Sequence, residues 1–333
     1  MKVSFFLLLF LASIYTCTAQ TAAQNAKNYI RQGDYANAIL VLNRALESDR
    51  ENLEMKKDLA FAYYLQRDYQ KALSAIQPVI EDRDNDAQSF QILGMIHEAI
   101  DNRRDAERAY RVGIRRFPES GALYNELGEL LWSNGLFPEA LSQWLRGIQR
   151  DQSFSGNYFN ASKYYYLSQD KVWGLIYGEI FINLESYSRR TPEVKTMMYE
   201  GYKKLFADTD LQRDQDTKNE FVRAFLDVMK ENAHIVANGV TPDALTVLRT
   251  RFLLGWNEKY AAKFPFRLFD YQKQIAKAGM FDAYNQWIFG AASNLTTFQQ
   301  WTVTHTEAYN KFTAFQKNRV FKVPEGQYYN GRP

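Results

Sequence analysis

The side chains best suited to proton transfer near neutral pH are histidines, and this chain has three: His97, His234 and His305. No two are spaced to share a metal ion, and a His-Glu-x-x-His run is absent. His97 falls among large residues that recur at a fixed period and reads as a packing side chain. His234 is expected near a helix end, where a cation suits the helix dipole, and His305 stands alone. A serine nucleophile of the Gly-x-Ser-x-Gly type needs a strand-to-helix turn, and that motif is also missing. So are the glycine-rich phosphate loops of nucleotide-binding chains. Acidic residues are plentiful, but spacing alone does not pair them for glycoside chemistry. The sequence therefore assigns no catalytic residue, no metal ligand and no cofactor.

One charged constellation is regular. Arg104, Arg108, Arg111 and Arg115 recur at helical spacing, with Arg116 beside them. Ala106, Tyr110, Gly113 and Ile114 make the opposite, apolar face of the same helix, so the arginines point outward. Two readings stay open for this stripe: contact with an acidic protein or anionic surface, or a solvated face partly paired with Asp105 and Glu107. Across the chain, 41 basic and 38 acidic residues leave a net charge of only +3. That balance supplies no general attraction to nucleic acid or anionic membrane.

These residues must be positioned by helices. Gly33-Asp34-Tyr35-Ala36-Asn37-Ala38-Ile39 is matched 34 residues later by Arg67-Asp68-Tyr69-Gln70-Lys71-Ala72-Leu73. The same step reaches Asp101 to Glu107, Gly135 to Leu141 and Gln169 to Leu175 without a gap. One column of small residues reads Ala26, Ala60, Gly94, Gly128, Ser162; a second reads Ala38, Ala72, Ala106, Ala140, Gly174. A third reads Ala45, Val79, Gly113, Gly147, and then Phe181. Small residues let the two helices of a unit approach closely and let one unit nest on the next. Large residues fill the remaining columns: Tyr29, Tyr63, His97, Leu131, Tyr165, and Leu46, Ile80, Ile114, Ile148, Ile182. The fifth unit departs, with Phe181 in a small column and Gly178 in a large one, and this predicts altered packing where the repeats meet the C-terminal half.

A 34-residue period with these columns resembles the tetratricopeptide repeat. The resemblance covers residues 20–186, in units of about 19–52, 53–86, 87–120, 121–154 and 155–188. It implies an all-α fold, an α-solenoid of helical hairpins continued or capped by further helices. In this family the first helix of each unit lines a concave face that holds partner segments. By position, the resemblance assigns Lys57, Phe61, Tyr64, Gln91, Met95, Asn125, Glu129, Trp132, Phe159, Lys163 and Tyr166 to that face. The set is rich in aromatic and thioether side chains, which are enriched at interfaces. It lacks the Lys, Asn and Arg clamp expected for carboxylate capture: the corresponding walls carry Ala23, Lys27, Asp58, Gln88 and Ile92. The alternative is that helices of the C-terminal half cover these aromatics.

From about residue 190 the period is lost while helical patterning continues. Thr191-Pro192 starts a helix to about Ala207, with Thr191 as its cap. A charged loop spans Asp208 to Asp216. Further helices are expected over about 217–236, 241–262, 268–278, 281–291 and 294–317, and the tail from Val323 is expected to be loose. Gly279-Met280-Phe281-Asp282-Ala283 is similar to the turn of the repeats, with its alanine displaced by one. A cap is needed because an open end of a repeat stack exposes apolar surface.

Lys2, the apolar run from Phe5 to Ala12 and the small residues ending at Ala19 read as a signal peptide cleaved to leave Gln20 first. The alternative is a lipoprotein anchored through Cys17, the sole cysteine, although Tyr15 fits poorly before such a site. Cleavage at Ala19 leaves a mature chain without disulfide or thiolate chemistry. No later stretch is apolar for long enough to span a bilayer. The cleavage site and the aromatic-rich helical tail look similar to envelope proteins of Bacteroidota-type bacteria. The sequence thus points to an exported, periplasmic, non-catalytic scaffold that binds a protein or peptide and can associate peripherally with the envelope. Two other readings are a glycan-binding module using exposed Trp and Tyr rings, and an enzyme with a site in 190–333.

Overall fold

The computed structural model describes residues 22–331, and every regular element among them is helical. The expected signal segment and Cys17 lie outside the described residues. The chain forms two compact units that divide between Leu130 and Leu131.

The first unit holds consecutive antiparallel hairpins: α1 (residues 22–32), α2 (Tyr35–Ser48), α3 (Leu53–Leu65), α4 (Tyr69–Glu81), α5 (Ala87–Ala99), α6 (Arg103–Arg116) and most of α7 (Gly121–Ser133). Helix starts are set by short polar side chains. Asp34, Asn52, Asp68, Asp86 and Asn102 each accept a hydrogen bond from the backbone N–H three residues on, which satisfies a donor the helix leaves free. The turns inside the hairpins share one geometry. Gly33, Arg67 and Asp101 all have positive φ, at 79°, 67° and 58°. After each, a backbone N–H returns to a carbonyl five residues back, as in Asp68 to Tyr63 and Asn102 to His97, both at 2.8–2.9 Å. The alanines of the first two small columns sit at zero exposure, Ala26, Ala38, Ala60, Ala72 and Ala106, whereas Ala45 of the third is half-buried. A Cβ on Gly94 would enter the Tyr110 ring, and one on Gly113 would lie 2.7 Å from Phe90 Cβ.

The second unit begins at the end of α7 and continues the pattern through α8 (Phe137–Arg150), α9 (Ser155–Leu167) and α10 (Val172–Leu184). Gly135 repeats the turn of the first unit at φ 78°. α11 (Thr191–Leu205) then packs on both α9 and α10. The two exceptions in the repeat columns explain the change. A Cβ on Gly178 would lie 2.9 Å from Met198 and 3.3 Å from Val194, both on α11. Phe181 is fully buried against Phe159, with ring centroids 5.3 Å apart. α10 is therefore wrapped on more than one side, and nearly all of its residues are buried.

Beyond α11 come α12 (Glu220–Glu231), a 3-10 turn (Ala233–Val236), α13 (Pro242–Lys259), α14 (Arg267–Lys277) and α15 (Phe281–Asn285). α15 passes through a π turn (Gln286–Gly290) into α16 (Ala291–Ser293). Gly279 adopts φ 70°, and the Met280 N–H bonds back to Ile275 O at 3.1 Å, so the turn between α14 and α15 copies the repeat turn despite the shifted alanine. Two determinants bind these helices. Phe221 touches Trp173, Trp256, Phe264, Phe266, Phe269 and Tyr329 with centroids 4.9–6.2 Å apart. The fully buried Arg249 pairs with Glu179 and bonds Asn285 Oδ1, while Gln272 and Tyr284 each donate to Glu179 Oε1 at 2.7 Å. A buried ion pair is tolerable only when its remaining donors and acceptors are met in this way.

Four expectations need correction. Thr191 does not cap α11: its Oγ1 donates to Glu185 O at 2.6 Å, and Arg190 takes the cap position without a side-chain bond. The helix expected from 217 starts at Glu220 with Asn219 as cap. The last helix is broken into α17 (Leu295–Thr304) and α18 (Thr306–Lys317). At the break Thr304 Oγ1 bonds Gln300 O and Trp301 O, Thr306 Oγ1 bonds Thr302 O and Val303 O, and the His305 ring nitrogen lies 3.1 Å from Trp301 O. The tail is not loose. Phe321 and Val323 are buried and Asn330 is 2% exposed.

Candidate partner-binding face

The assigned residues fall into three register columns, and the structure places each on the first helix of its hairpin. In the first unit, α3 carries Lys57, Phe61 and Tyr64, α5 carries Gln91 and Met95, and α7 carries Asn125 and Glu129. Phe61 stacks on Tyr64 with centroids 6.2 Å apart and planes at 14°, and Tyr64 tilts onto Tyr69 at 6.1 Å. Phe61, Tyr64 and Met95 are each half-buried. Their inner edges join the core, as Phe61 and Tyr64 do with Ala60, Ile76 and Ile96, and the remainder of each side chain faces solvent.

The polar members have partners. Lys57 is 5% exposed and its Nζ pairs with Glu54 at 2.7 Å and Asp86 at 2.5 Å. Lys27 pairs with Glu54 at 2.7 Å and lies 3.6 Å from Asp58, whose carboxyl burial pushes up to about 6. Gln91 donates to Glu126 Oε1 at 2.9 Å, and Asn125 donates to Glu129 Oε1 at 2.8 Å.

Sequence reasoning missed Glu98 and Glu126, two further carboxyls beside this strip. Burial raises the Glu126 carboxyl to about 7, with Glu129 and Glu98 adding repulsion. Burial also raises Glu98, which accepts the Tyr110 hydroxyl at 2.5 Å. The same surroundings hold the Tyr64 phenol above its ordinary range. Among the described residues no lysine or arginine lies within ion-pairing distance of Glu98 or Glu126. A signal for Glu98 was available: it stands 34 residues after Tyr64 and 34 before Trp132, in the same column.

In the second unit the corresponding residues are also half-buried, with different neighbours. Trp132 packs against Phe137 at 4.7 Å, Trp144 at 5.7 Å and Tyr164 at 6.3 Å. Phe159 lies under the Arg190 guanidinium at 4.8 Å, Lys163 pairs with Glu193 at 3.3 Å, and Lys204 sits 4.0 Å over the Tyr166 ring. Those partners belong to α11 or its first cap, so α11 covers the wall of the fifth hairpin.

Arg104, Arg108, Arg111 and Arg115 are exposed on α6. Arg108 pairs with Asp105 at 3.3 Å and Arg111 with Glu107 at 2.7 Å. Arg116 turns aside onto the Phe90 ring at 5.6 Å. His97 is half-buried and burial lowers its pKa; His234 lies in the 3-10 turn; His305 stacks on Trp301 at 4.5 Å. No cluster of metal-binding side chains occurs among the described residues, and no helix there is long and apolar enough to cross a membrane.

Two family models, both described as tetratricopeptide repeat, match residues 29–96 and 93–156. No curated protein is recognisably similar in sequence. Among solved structures, a repeat-containing protein from Cytophaga hutchinsonii is 17% identical, covering 72% of this chain and 95% of its own, with a TM-score of 0.44. A tetratricopeptide repeat protein from Parabacteroides merdae is 12% identical, covering 72% and 91%, with a TM-score of 0.42. MamA is 20% identical over 54% of this chain and 93% of its own, with a TM-score of 0.37.

Proposed function

From the premise that the chain is a tetratricopeptide-repeat protein, an interaction scaffold by architecture, we propose that it is a non-catalytic adaptor of the cell envelope. It holds a segment of a protein partner against the first-helix faces of its repeats. The observation that carries this reading is the strip of Phe61, Tyr64 and Met95, half-exposed beside Glu98 and Glu126, carboxyls without a cation. A segment with apolar side chains and a lysine or arginine complements both features. The covered wall of the fifth hairpin directs binding to the earlier ones. Arg108 and Arg111 of the exposed stripe pair with Asp105 and Glu107, which favours a solvated helix face there over a second partner surface.

The envelope assignment rests on Lys2, the apolar run and Ala19, which together support Gln20 as the first residue of the exported protein. N-terminal sequencing of material recovered from the periplasm checks this; a lipid-modified Cys17 would replace it with an anchored protein. For the scaffold itself, a photo-crosslinking residue at position 64 should join the chain to a discrete partner in intact cells. The same residue at position 108 should give a different product or none. Identical products from both positions would remove the assignment to the first-helix face. The glycan reading would use Trp132, a half-buried ring with three aromatic neighbours, and a glycan array with and without Trp132 separates it from the scaffold reading.

A further inference from the structure

Past Asn318 the chain leaves α18 and returns across the second unit as a non-helical strap. Its grip has two parts. Near α18, Phe321 and Val323 are buried, Phe321 lying 5.5 Å from the Tyr271 ring. Farther on, Tyr329 stacks on Phe221 at 4.9 Å with planes 10° apart, and meets Phe264 and Phe266 edge-on at 5.5 and 5.8 Å. Between the two, residues 324–326 stand out in solvent, with Gly326 at φ 79°.

The polar contacts read both the backbone and the side chains of the strap. Asn219 Nδ2 donates to the carbonyls of Tyr329 at 2.7 Å and Asn330 at 2.9 Å. The Arg267 N–H donates to Gln327 Oε1 at 2.6 Å. Tyr329 Oη donates to Pro265 O at 2.7 Å, and Asn330 Nδ2 donates to Tyr165 Oη at 3.0 Å. None of these contacts depends on the strap being joined to α18. Main-chain bonds that supply affinity and side-chain pockets that supply choice are the recurring logic of peptide sites.

A small cavity of about 20 Å³, room for about one water, lies beside the strap among residues such as Tyr158, Tyr177 and Tyr328. At the start of the strap the Arg319 guanidinium lies over the Tyr271, Phe315 and Phe321 rings, while its buried Nε and Nη2 have no hydrogen-bond partner among the described residues. Rings offset only part of the cost of a buried donor without a hydrogen bond.

We propose that the cleft formed by Tyr165, Asn219, Phe221, Phe264 and Phe266 is a peptide-binding site, with residues 319–331 as its exchangeable internal ligand. The partner it fits is a non-helical segment carrying two adjacent aromatic side chains followed by a carboxamide, the chemistry of Tyr328-Tyr329-Asn330. While the strap is docked, its effective concentration excludes such a segment; release of the strap opens the cleft.

The test uses the full chain with a protease site inserted after Asn318, at the exposed end of α18. A fluorescent peptide of residues 319–331 is the probe. After cleavage, the folded protein should exchange its own strap for the probe and bind it saturably. The uncut chain should bind at least tenfold more weakly. Asn219→Ala in the cut protein, or Tyr329→Ala in the probe, should each weaken binding about tenfold. A cut protein that stays folded yet excludes the probe makes the strap a permanent part of the core and overturns the proposal. Equal binding to cut and uncut chains overturns it as well. If cleavage melts the unit, recovery of the melting temperature with added probe supports the proposal and lack of recovery refutes it.

Discussion

The two units use different means to fix their helices. In residues 22–130 the determinants repeat: a left-handed turn residue at 33, 67 and 101, a short polar cap after each, and alanine or glycine wherever helices cross. The contacts there join neighbouring hairpins. In residues 131–331 the determinants are single and distant in sequence. Arg249 meets Glu179, Asn183 donates to Tyr284 at 2.7 Å, and Asn330 reaches Tyr165. The comparison teaches that a repeat stack spreads its specification over many small steric requirements, whereas a closed helical unit concentrates it in a few buried polar and aromatic residues. Single changes should therefore act differently in the two.

The largest effect is expected in the second unit. Arg249→Ala leaves the buried Glu179 uncompensated and should destabilise that unit by about 3–5 kcal/mol. Denaturant melts should show it, and a loss below about 1 kcal/mol would mean that the polar centre does not specify the unit. Next comes Gly113→Leu in the first unit, where Phe90 and Leu123 already press on the glycine. Overpacking of this kind costs about 1–3 kcal/mol. Unchanged unfolding would break the claim that small columns set the spacing of the hairpins.

A third comparison is by pH. The Glu126 carboxyl is raised from 4.5 to about 7 by burial. Between those values the folded state keeps a proton that the unfolded chain releases, so stability falls as pH rises through the window. Glu126→Gln should flatten this slope in melts taken at pH 5 and pH 8, with its gain in stability confined to the higher pH. A parallel pH dependence in the variant would assign the slope elsewhere. The smallest effect is at the turn. Arg67 holds φ 67° where glycine is unstrained, and Arg67→Gly should stabilise the first unit by up to about 1 kcal/mol. A loss instead would mean that the arginine side chain contributes more than the backbone strain removes.

The same contrast explains how much was legible in the sequence. Ala38, Ala72, Ala106 and Ala140 recur at 34 residues, so spacing alone reveals a column and its burial. Gly178 and Phe181 read as departures, and they mark the seat of α11. Glu98 is easily missed because aromatic residues flank it in a column that runs Tyr64, Glu98 and Trp132. Arg249, Glu179 and Gln272 could not be found by spacing, since nothing local pairs residues that far apart. The strap reads as a loose tail because Pro324 and Gly326 signal a loop, while the anchors, Tyr328-Tyr329-Asn330, lie just beyond. The break at His305 is not legible because residues 294–317 hold neither proline nor glycine to mark it.

The central claim is that the first-helix face of the first unit binds a protein segment. The most direct measurement pairs thermal melts with quantified partner recovery for Tyr64→Ala, Met95→Ala and the double variant. Both side chains are half-exposed, so melts should shift only modestly, by about 1 kcal/mol each. Recovery of the partner crosslinked at position 64 in the parent chain should fall steeply, each hot spot weakening binding by about 2 kcal/mol or more. Intact recovery beside a strongly destabilised fold would contradict the account and make these side chains part of the core.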